Sequence, residues 1–134
     1  MSTRHFTPAE VDALISELSG IVEPAMERHR EAMALQQHLR EEQERIRVSG
    51  GGLLDRRDWK ARAERLDGLA IEVRDALQQI AALGGVTKDL EMGLVDFPGL
   101  IEGETVNLCW KLGESAVRFW HRLDEGYAKR KPLP

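Results

Sequence analysis

The spacing of apolar residues changes once along this chain, at Gly84-Gly85, and that change limits the folds open to it. Upstream, apolar positions recur every seven residues, which is typical of helices that pack along a seam, as in a coiled coil. Downstream, apolar and polar residues alternate, as in a half-buried β-strand. The upstream positions form two series: Val11, Leu18, Ala25, Ala32, Leu39 and Ile46, then Trp59, Leu66, Val73 and Ile80.

The first series predicts a helix over residues 8–47. Thr7 can serve as its N-cap, and Glu10 is placed to complete a capping box. Pro24 lies inside the series, where its ring removes one helical hydrogen bond and crowds the carbonyl of Gly20. We therefore expect a kink between Gly20 and Pro24 within a nearly continuous helix, or a short break there.

The second series predicts a helix over residues 55–83, capped by Asp55 or Asp58 and ended by Gly84-Gly85. A glycine-rich turn at residues 49–52 separates the two helices, so they should form an antiparallel hairpin. The first helix is the longer one. Its segment before Pro24 should therefore extend past the hairpin and cover the residues that follow Gly85.

Residues 106–112 predict a strand with Val106, Leu108 and Trp110 on one face and Cys109 on the other. Residues 90–97 predict a weaker strand with a bulge at Gly93, and residues 97–104 predict a loop. Residues 116–121 fit a strand or a short helix, with the alternation favouring a strand. The basic tail from Gly126 should be irregular.

These patterns predict an α+β fold in one domain, residues 1–134. A long antiparallel helical hairpin, kinked at Pro24, should pack on a small antiparallel β-sheet. Residues 8–47 and 55–83 form the hairpin in this prediction, and residues 86–134 form a β-hairpin or meander followed by the tail.

Composition argues against several classes of function. A net charge of −4 disfavours a general binder of nucleic acid or of anionic membranes. A single cysteine excludes an intrachain disulfide and a cysteine-based zinc cluster, and it fits a reducing cytoplasm. We expect neither a membrane span nor a signal peptide, because no apolar run is long enough.

Polar residues gather in the last third of the chain. The spacing His121-x-x-Asp124 allows both side chains to bind one divalent metal ion. The same spacing suits a structural turn in which His121 bonds Asp124 or a backbone carbonyl. Cys109, inside an alternating strand, is more typical of a buried inert thiol than of a nucleophile. The other candidate binding residues are Asp89, Asp96, Glu114, Trp120 and Arg130.

Three stretches of the chain resemble a bacterial family catalogued as domain of unknown function 2203. They are FTPAEVDALI near the start, GGVTKDLEMGLVDFPGLIEGETVNLCWKLGE in the middle and RFWHRLDEGYAKRKPL near the end. The resemblance implies a cytoplasmic bacterial protein and carries over no catalytic residue. The pattern of the family that this chain resembles gives most weight to the following positions: Asp89, Asp96, Cys109, Trp110, Glu114, Trp120, His121, Asp124, Gly126 and Arg130.

Two hypotheses of function follow. The leading one is a non-enzymatic interaction or regulatory module without a cofactor, which forms a homodimer through the helical seam and binds a protein partner. The alternative is a protein that binds a small ligand or a divalent metal ion around His121 and Asp124, with a metal-assisted enzyme as one form of this alternative. The alternative requires these two residues to converge with Asp89, Asp96 or Glu114.

Overall fold

The computed structural model describes residues 4–50 and 55–134, and within them helices precede strands. The helices are α1 (Pro8–Asp12), α2 (Ile15–Ser49) and α3 (Arg56–Leu83). The strands are β1 (Val86–Asp89), β2 (Leu94–Ile101), β3 (Glu104–Lys111), β4 (Phe119–His121) and β5 (Lys131–Pro132), with a 3₁₀ turn (Tyr127–Lys129) before β5. The predicted α+β class is confirmed.

The first helix begins as its sequence predicts. Thr7 Oγ1 accepts the amide of Glu10 at 3.1 Å, and Glu10 Oε1 accepts the amide of Thr7 at 3.0 Å. The helix is then interrupted by a turn at residues 13–14, which the sequence analysis did not anticipate. The carboxylate of Asp12 accepts the amide of Val117 at 2.7 Å, which fixes the end of α1 to the segment before β4.

α2 stays helical across Pro24, so the predicted irregularity is not a break in the helix. Pro24 still has no amide, and the carbonyl of Gly20 therefore lacks its helical donor. A groove of about 300 Å³ lies beside these two residues, between α2 and the Glu72–Gln79 part of α3. A bend of the helix axis at Pro24 stays a prediction.

Ion pairs show that α2 and α3 run antiparallel. Arg28 pairs with Glu72, and Glu42 pairs with Arg62. Residue numbers therefore increase along α2 in the direction in which they decrease along α3. Asp55 is the N-cap of α3, because its carboxylate accepts two amides at 3.1 Å. The predicted glycine-rich turn falls largely on residues 51–54, which lie outside the described residues.

Neither long helix, in the part of the chain that the structure describes, has an apolar stretch that could cross a bilayer.

We call residues 27–50 and 55–73 the arm. The remaining parts of the helices and the five strands form the base.

The five strands form an antiparallel meander in the order β1-β2-β3-β4-β5. β2 and β3 pair from Leu94↔Lys111 to Ile101↔Glu104. A two-residue turn, Glu102-Gly103, joins them with positive φ at both positions, 51° and 81°. This combination is characteristic of tight hairpin turns.

Residues 97–99 were predicted as loop, and the structure places them inside β2. β1 pairs with β2 only as far as Val86↔Asp96, so β2 has an open side beyond that point. On this side the carbonyl of Pro98 accepts the amide of Phe6 at 2.7 Å. The missing amide of Pro98 therefore interrupts no strand pairing.

Three further expectations about the strands need correction. β1 occupies residues that the sequence analysis assigned to no particular strand. Gly93 belongs to the turn before β2, with φ 71°, and the bulge lies in β1 instead. The tail is not wholly irregular, because residues 131 and 132 pair with β4.

Alternation gives the sheet two different faces. One face packs against the helices, and Trp110 and Phe97 lie there fully buried beside Val11 and Leu18. The opposite face carries Asp96, Cys109 and His121. The remaining buried core residues are Phe6, Val22, Met26, Ile80, Val95, Val106, Leu108 and Val117.

Candidate metal centre

Strand register brings three side chains together on the face of the sheet away from the helices. Asp96 lies opposite Cys109 in the β2–β3 pair, and His121 lies opposite Asn107, two positions from Cys109. Because residues two apart on a strand share a face, all three point to the same side. Their ligand atoms lie within 4.8 Å of one another, a spacing that no other His, Cys, Asp and Glu group among the described residues matches.

This group is almost completely buried. The exposed fraction is 1% for Asp96, 1% for Cys109 and 2% for His121. His121 Nε2 lies 2.9 Å from Asp96 Oδ2. The other carboxylate oxygen, Oδ1, is buried with no hydrogen-bond partner among the described residues. A buried polar atom without a partner is costly, so a hydrogen from the adjacent Cys109 thiol, a water molecule or a cation would each stabilise this oxygen.

The two nitrogens of His121 have different roles. Nδ1 lies 2.9 Å from the carbonyl oxygen of Arg122, which only accepts, so Nδ1 must carry a hydrogen. Nε2 is then either the acceptor of a protonated Asp96 or the donor to its carboxylate. The pair therefore holds one proton that a metal ion at Nε2 would displace.

Burial changes the proton affinity of both acidic members. It raises the pKa of Asp96, against the opposing effect of His121. Burial, with the negative charge of Asp96 as the next cause, raises the pKa of Cys109 to about 12. A thiol that stays protonated at neutral pH is a poor nucleophile, so the group suits ligation coupled to proton release better than covalent catalysis.

A cavity of about 100 Å³ lies beside the three side chains. Its other walls are Lys88 from β1 and a segment of the tail, Glu125, Gly126 and Tyr127. Lys88 is the extra residue of the β1 bulge, between the pairs Thr87↔Val95 and Asp89↔Leu94. Bulges commonly redirect a side chain, and this one presents Lys88 to the cavity.

Arg130 holds the tail over this face of the sheet. Its guanidinium lies 4.0 Å from the centre of the Phe119 ring and 4.5 Å from that of Tyr127. It also pairs with the carboxylate of Glu114 at 3.1 Å, and Glu114 accepts the amide of Lys111 at 2.8 Å. The tail segment that lines the cavity, residues 125–127, is therefore held in place by packing and by ion pairing.

Of the candidates proposed from sequence, Asp96 and His121 meet directly, and Glu114 meets Arg130 beside them. Asp89 instead accepts the amide of Met92 at 3.1 Å and stabilises the turn after β1. Trp120 packs against the core on the other face of the sheet.

Asp124 is exposed and is not a member of the cluster. Sequence reasoning had placed the metal pair at His121 and Asp124, and it overlooked Cys109 as a ligand and Lys88 altogether. The alternation of residues 106–112 did carry a signal for Cys109, because it places that thiol on the face away from the core.

Comparison with known proteins places the chain by sequence. A model of one protein family, described as uncharacterized conserved protein (DUF2203), matches residues 4–133. Neither the curated proteins nor the solved structures give a significant match. The chain belongs to this family, domain of unknown function 2203.

Proposed function

We propose that this protein binds a divalent transition-metal ion, best matched by zinc, through Asp96, Cys109 and His121. One observation carries the proposal: the buried, unpartnered Oδ1 of Asp96 lies in a group with an imidazole and a thiol. Carboxylate, imidazole and thiolate are all common zinc ligands. A buried carboxylate oxygen that lacks a hydrogen-bond partner would be stabilised by a cation.

The spacing of the three ligand atoms can be compared with that of a tetrahedral site. Zinc bonds of about 2.0–2.3 Å at tetrahedral angles set ligand atoms roughly 3.3–3.7 Å apart. The three ligand atoms lie within 4.8 Å of one another, whereas Nε2 and Oδ2 are only 2.9 Å apart. To admit the ion, Nε2 and Oδ2 would separate by a few tenths of an ångström, or Oδ1 would ligate instead, and the widest pair of ligand atoms would close by up to about 1 Å.

The surroundings of His121 support ligation. A ligating histidine usually donates its other nitrogen to a fixed acceptor, and the carbonyl of Arg122 occupies that place. Metal binding would release the thiol proton and the proton shared with Asp96, so affinity should rise with pH.

Titration with Co²⁺ tests the proposal, because a cobalt–thiolate bond gives a near-ultraviolet absorption band. We expect one equivalent to produce the band in wild type and zinc to remove it by competition. Zinc at 100 times its Kd should also stabilise the fold by about 2.7 kcal/mol. Wild type that shows neither the band nor a zinc-dependent shift of Tm would contradict the proposal.

Matched variants separate ligation from folding. Cys109→Ser, Asp96→Asn and His121→Asn should lose the band, and zinc should no longer raise their Tm. Asp124→Asn and His38→Asn are the controls, because both residues are exposed and lie outside the cluster. These controls should bind metal as wild type does. If His121 only supports the fold, His121→Asn would lower Tm while zinc stabilises neither protein.

Self-association through the arm is a second candidate function, favoured by the incomplete burial of its apolar seam. Leu35, Leu66 and Val73 remain partly exposed, and Met33 and Ile71 are 46% and 49% exposed. Within the arm, acidic and basic residues balance on each helix, five against five. Two copies could therefore approach without net repulsion, although the whole chain carries −4.

Light scattering over a range of protein concentrations tests this second function. Wild type should reach the mass of a dimer, and Ile71→Glu or Met33→Glu should return it to a monomer. Val86→Glu, an exposed position on the base, is the control and should leave the dimer intact. A monomeric mass at the highest concentration would exclude the proposal.

A further inference from the structure

Beyond the three ligands, the cavity offers a fourth position that a metal ion could fill with an exogenous group. A site with three protein ligands and one open position is the usual arrangement where zinc binds a further molecule. The cavity of about 100 Å³ adjoins all three ligands. Its size corresponds to roughly three water molecules at ~30 Å³ each.

The ammonium group of Lys88 contributes a positive charge to this cavity that no described carboxylate pairs with. It lines the cavity from the β1 bulge, and it has no ion-pair partner within residues 4–50 and 55–134. The other charged wall residue, Glu125, is already engaged. Its Oε1 accepts the amide of Arg122 and the ammonium of Lys131, each at 3.0 Å.

The charges around the site select the ligand. A divalent ion is neutralised by the carboxylate of Asp96 and the thiolate of Cys109, with His121 uncharged. Glu125 and Lys131 cancel each other, as do Glu114 and Arg130. The ammonium of Lys88 then leaves one positive charge facing the cavity.

We propose that this cavity binds a small monoanionic carboxylate between the metal ion and Lys88. One carboxylate oxygen would take the open metal position, and the ammonium of Lys88 would bind the other. This inference rests on the metal site proposed above and extends it by naming the class of ligand. The limited volume restricts that ligand to a few non-hydrogen atoms.

The test uses the Co²⁺-loaded protein, whose visible spectrum responds to a change of the fourth ligand. At constant ionic strength, formate and acetate should shift the spectrum in a saturable way. Benzoate should bind more weakly than acetate, because its ring does not fit within about 100 Å³.

Variants of Lys88 assign the effect to this side chain. Lys88→Gln should weaken acetate binding by about tenfold, the loss expected for one hydrogen bond to a charged group, and should not weaken Co²⁺ binding. Lys88→Arg should retain most of the affinity. Lys129→Gln is the control, since this exposed lysine of the 3₁₀ turn does not line the cavity.

The outcomes distinguish the two proposals. A cobalt–thiolate band whose spectrum acetate does not change would overturn the carboxylate site and leave the metal site standing. Equal acetate affinity in wild type and Lys88→Gln would do the same, as would equal binding of benzoate and acetate. Absence of the band in wild type would remove the metal site and the carboxylate site together.

Discussion

Compared with the base, the arm buries few of its apolar side chains. Leu39 and Leu69 are the buried members of the arm among the described residues. The helices there are also joined by ion pairs such as Glu31–Arg65 at 2.9 Å, with both side chains about half exposed. In the base, by contrast, the helices pack on a sheet whose Trp110 and Phe97 are fully buried.

The difference shows where the stability of this protein resides. Buried apolar surface contributes about 25 cal/mol per Å², whereas an exposed ion pair contributes about 0–1 kcal/mol. Among the described residues, the arm has one helix on each side of its seam and no third layer. It should therefore open locally at a lower free energy than the base, which carries the candidate metal centre.

Truncation of one large residue in each region should give the largest contrast. Trp110 packs in the core and donates its indole N–H to the carbonyl of Glu114 at 2.9 Å. Trp110→Ala should reduce the free energy of unfolding by about 3–5 kcal/mol. Leu66→Ala, in the partly exposed seam, should cost about 1–2 kcal/mol. Chemical denaturation measures both, and equal losses would show that the arm is as well packed as the base.

A pair of glycines gives opposite expected effects. A methyl group at Gly85 would lie 2.7 Å from Val95 Cγ1 and 3.0 Å from Phe97 Cζ, so Gly85→Ala should cost about 1–3 kcal/mol. At Gly68, in the arm, a methyl group meets nothing within 4 Å. Gly68→Ala should therefore stabilise the helix by about 0.5–1 kcal/mol. Thermal unfolding of both variants would refute the contrast if both changes shifted Tm in the same direction.

Acid should lower the stability of the arm, and this effect should be smaller than those of the truncations and the glycine substitutions. A hydrogen bond from Arg65 lowers the pKa of Glu31, and hydrogen bonds from Arg62 and Arg45 lower that of Glu42. A lowered folded-state pKa stabilises the fold above the unfolded value, and this contribution is lost as pH falls through the folded value. Helical circular dichroism should therefore decline modestly between about pH 5 and pH 3.

The matched variant for this experiment is Glu31→Gln with Glu42→Gln. It lacks both titrating groups, so its helical signal should depend less on pH than that of wild type. An identical decline in the double variant would assign the acid sensitivity to carboxylates outside the arm.

Local signals predicted much of the fold. The capping box at Thr7, the end of α3 at Gly84 and the alternation around Trp110 each depend on neighbouring residues, and the structure contains all three. The turn at residues 13–14 could not be predicted in this way. It accompanies a contact between Asp12 and Val117, which are 105 positions apart in the chain.

The candidate site was harder to predict because it depends on strand register. His121 pairs with Asp96, 25 positions away, rather than with the nearby Asp124. Knowing the two-residue turn at Glu102-Gly103 would have placed Asp96 opposite Cys109. The turn was not predicted because Glu102 is an unusual residue at this position. Tight hairpins with positive φ usually have Asn, Asp or Gly there.

The hydrogen bond from Phe6 to Pro98 has a consequence for biosynthesis. It joins Phe6 to a strand made about 90 residues later, and a similar interval separates Val11 and Leu18 from Val106 and Trp110. The ribosome makes α1 and the start of α2 before β2 and β3, so the apolar face of these helices cannot be covered by the sheet until both strands have emerged. We therefore expect the nascent chain to expose apolar surface during that interval, and such surface favours aggregation or binding by chaperones.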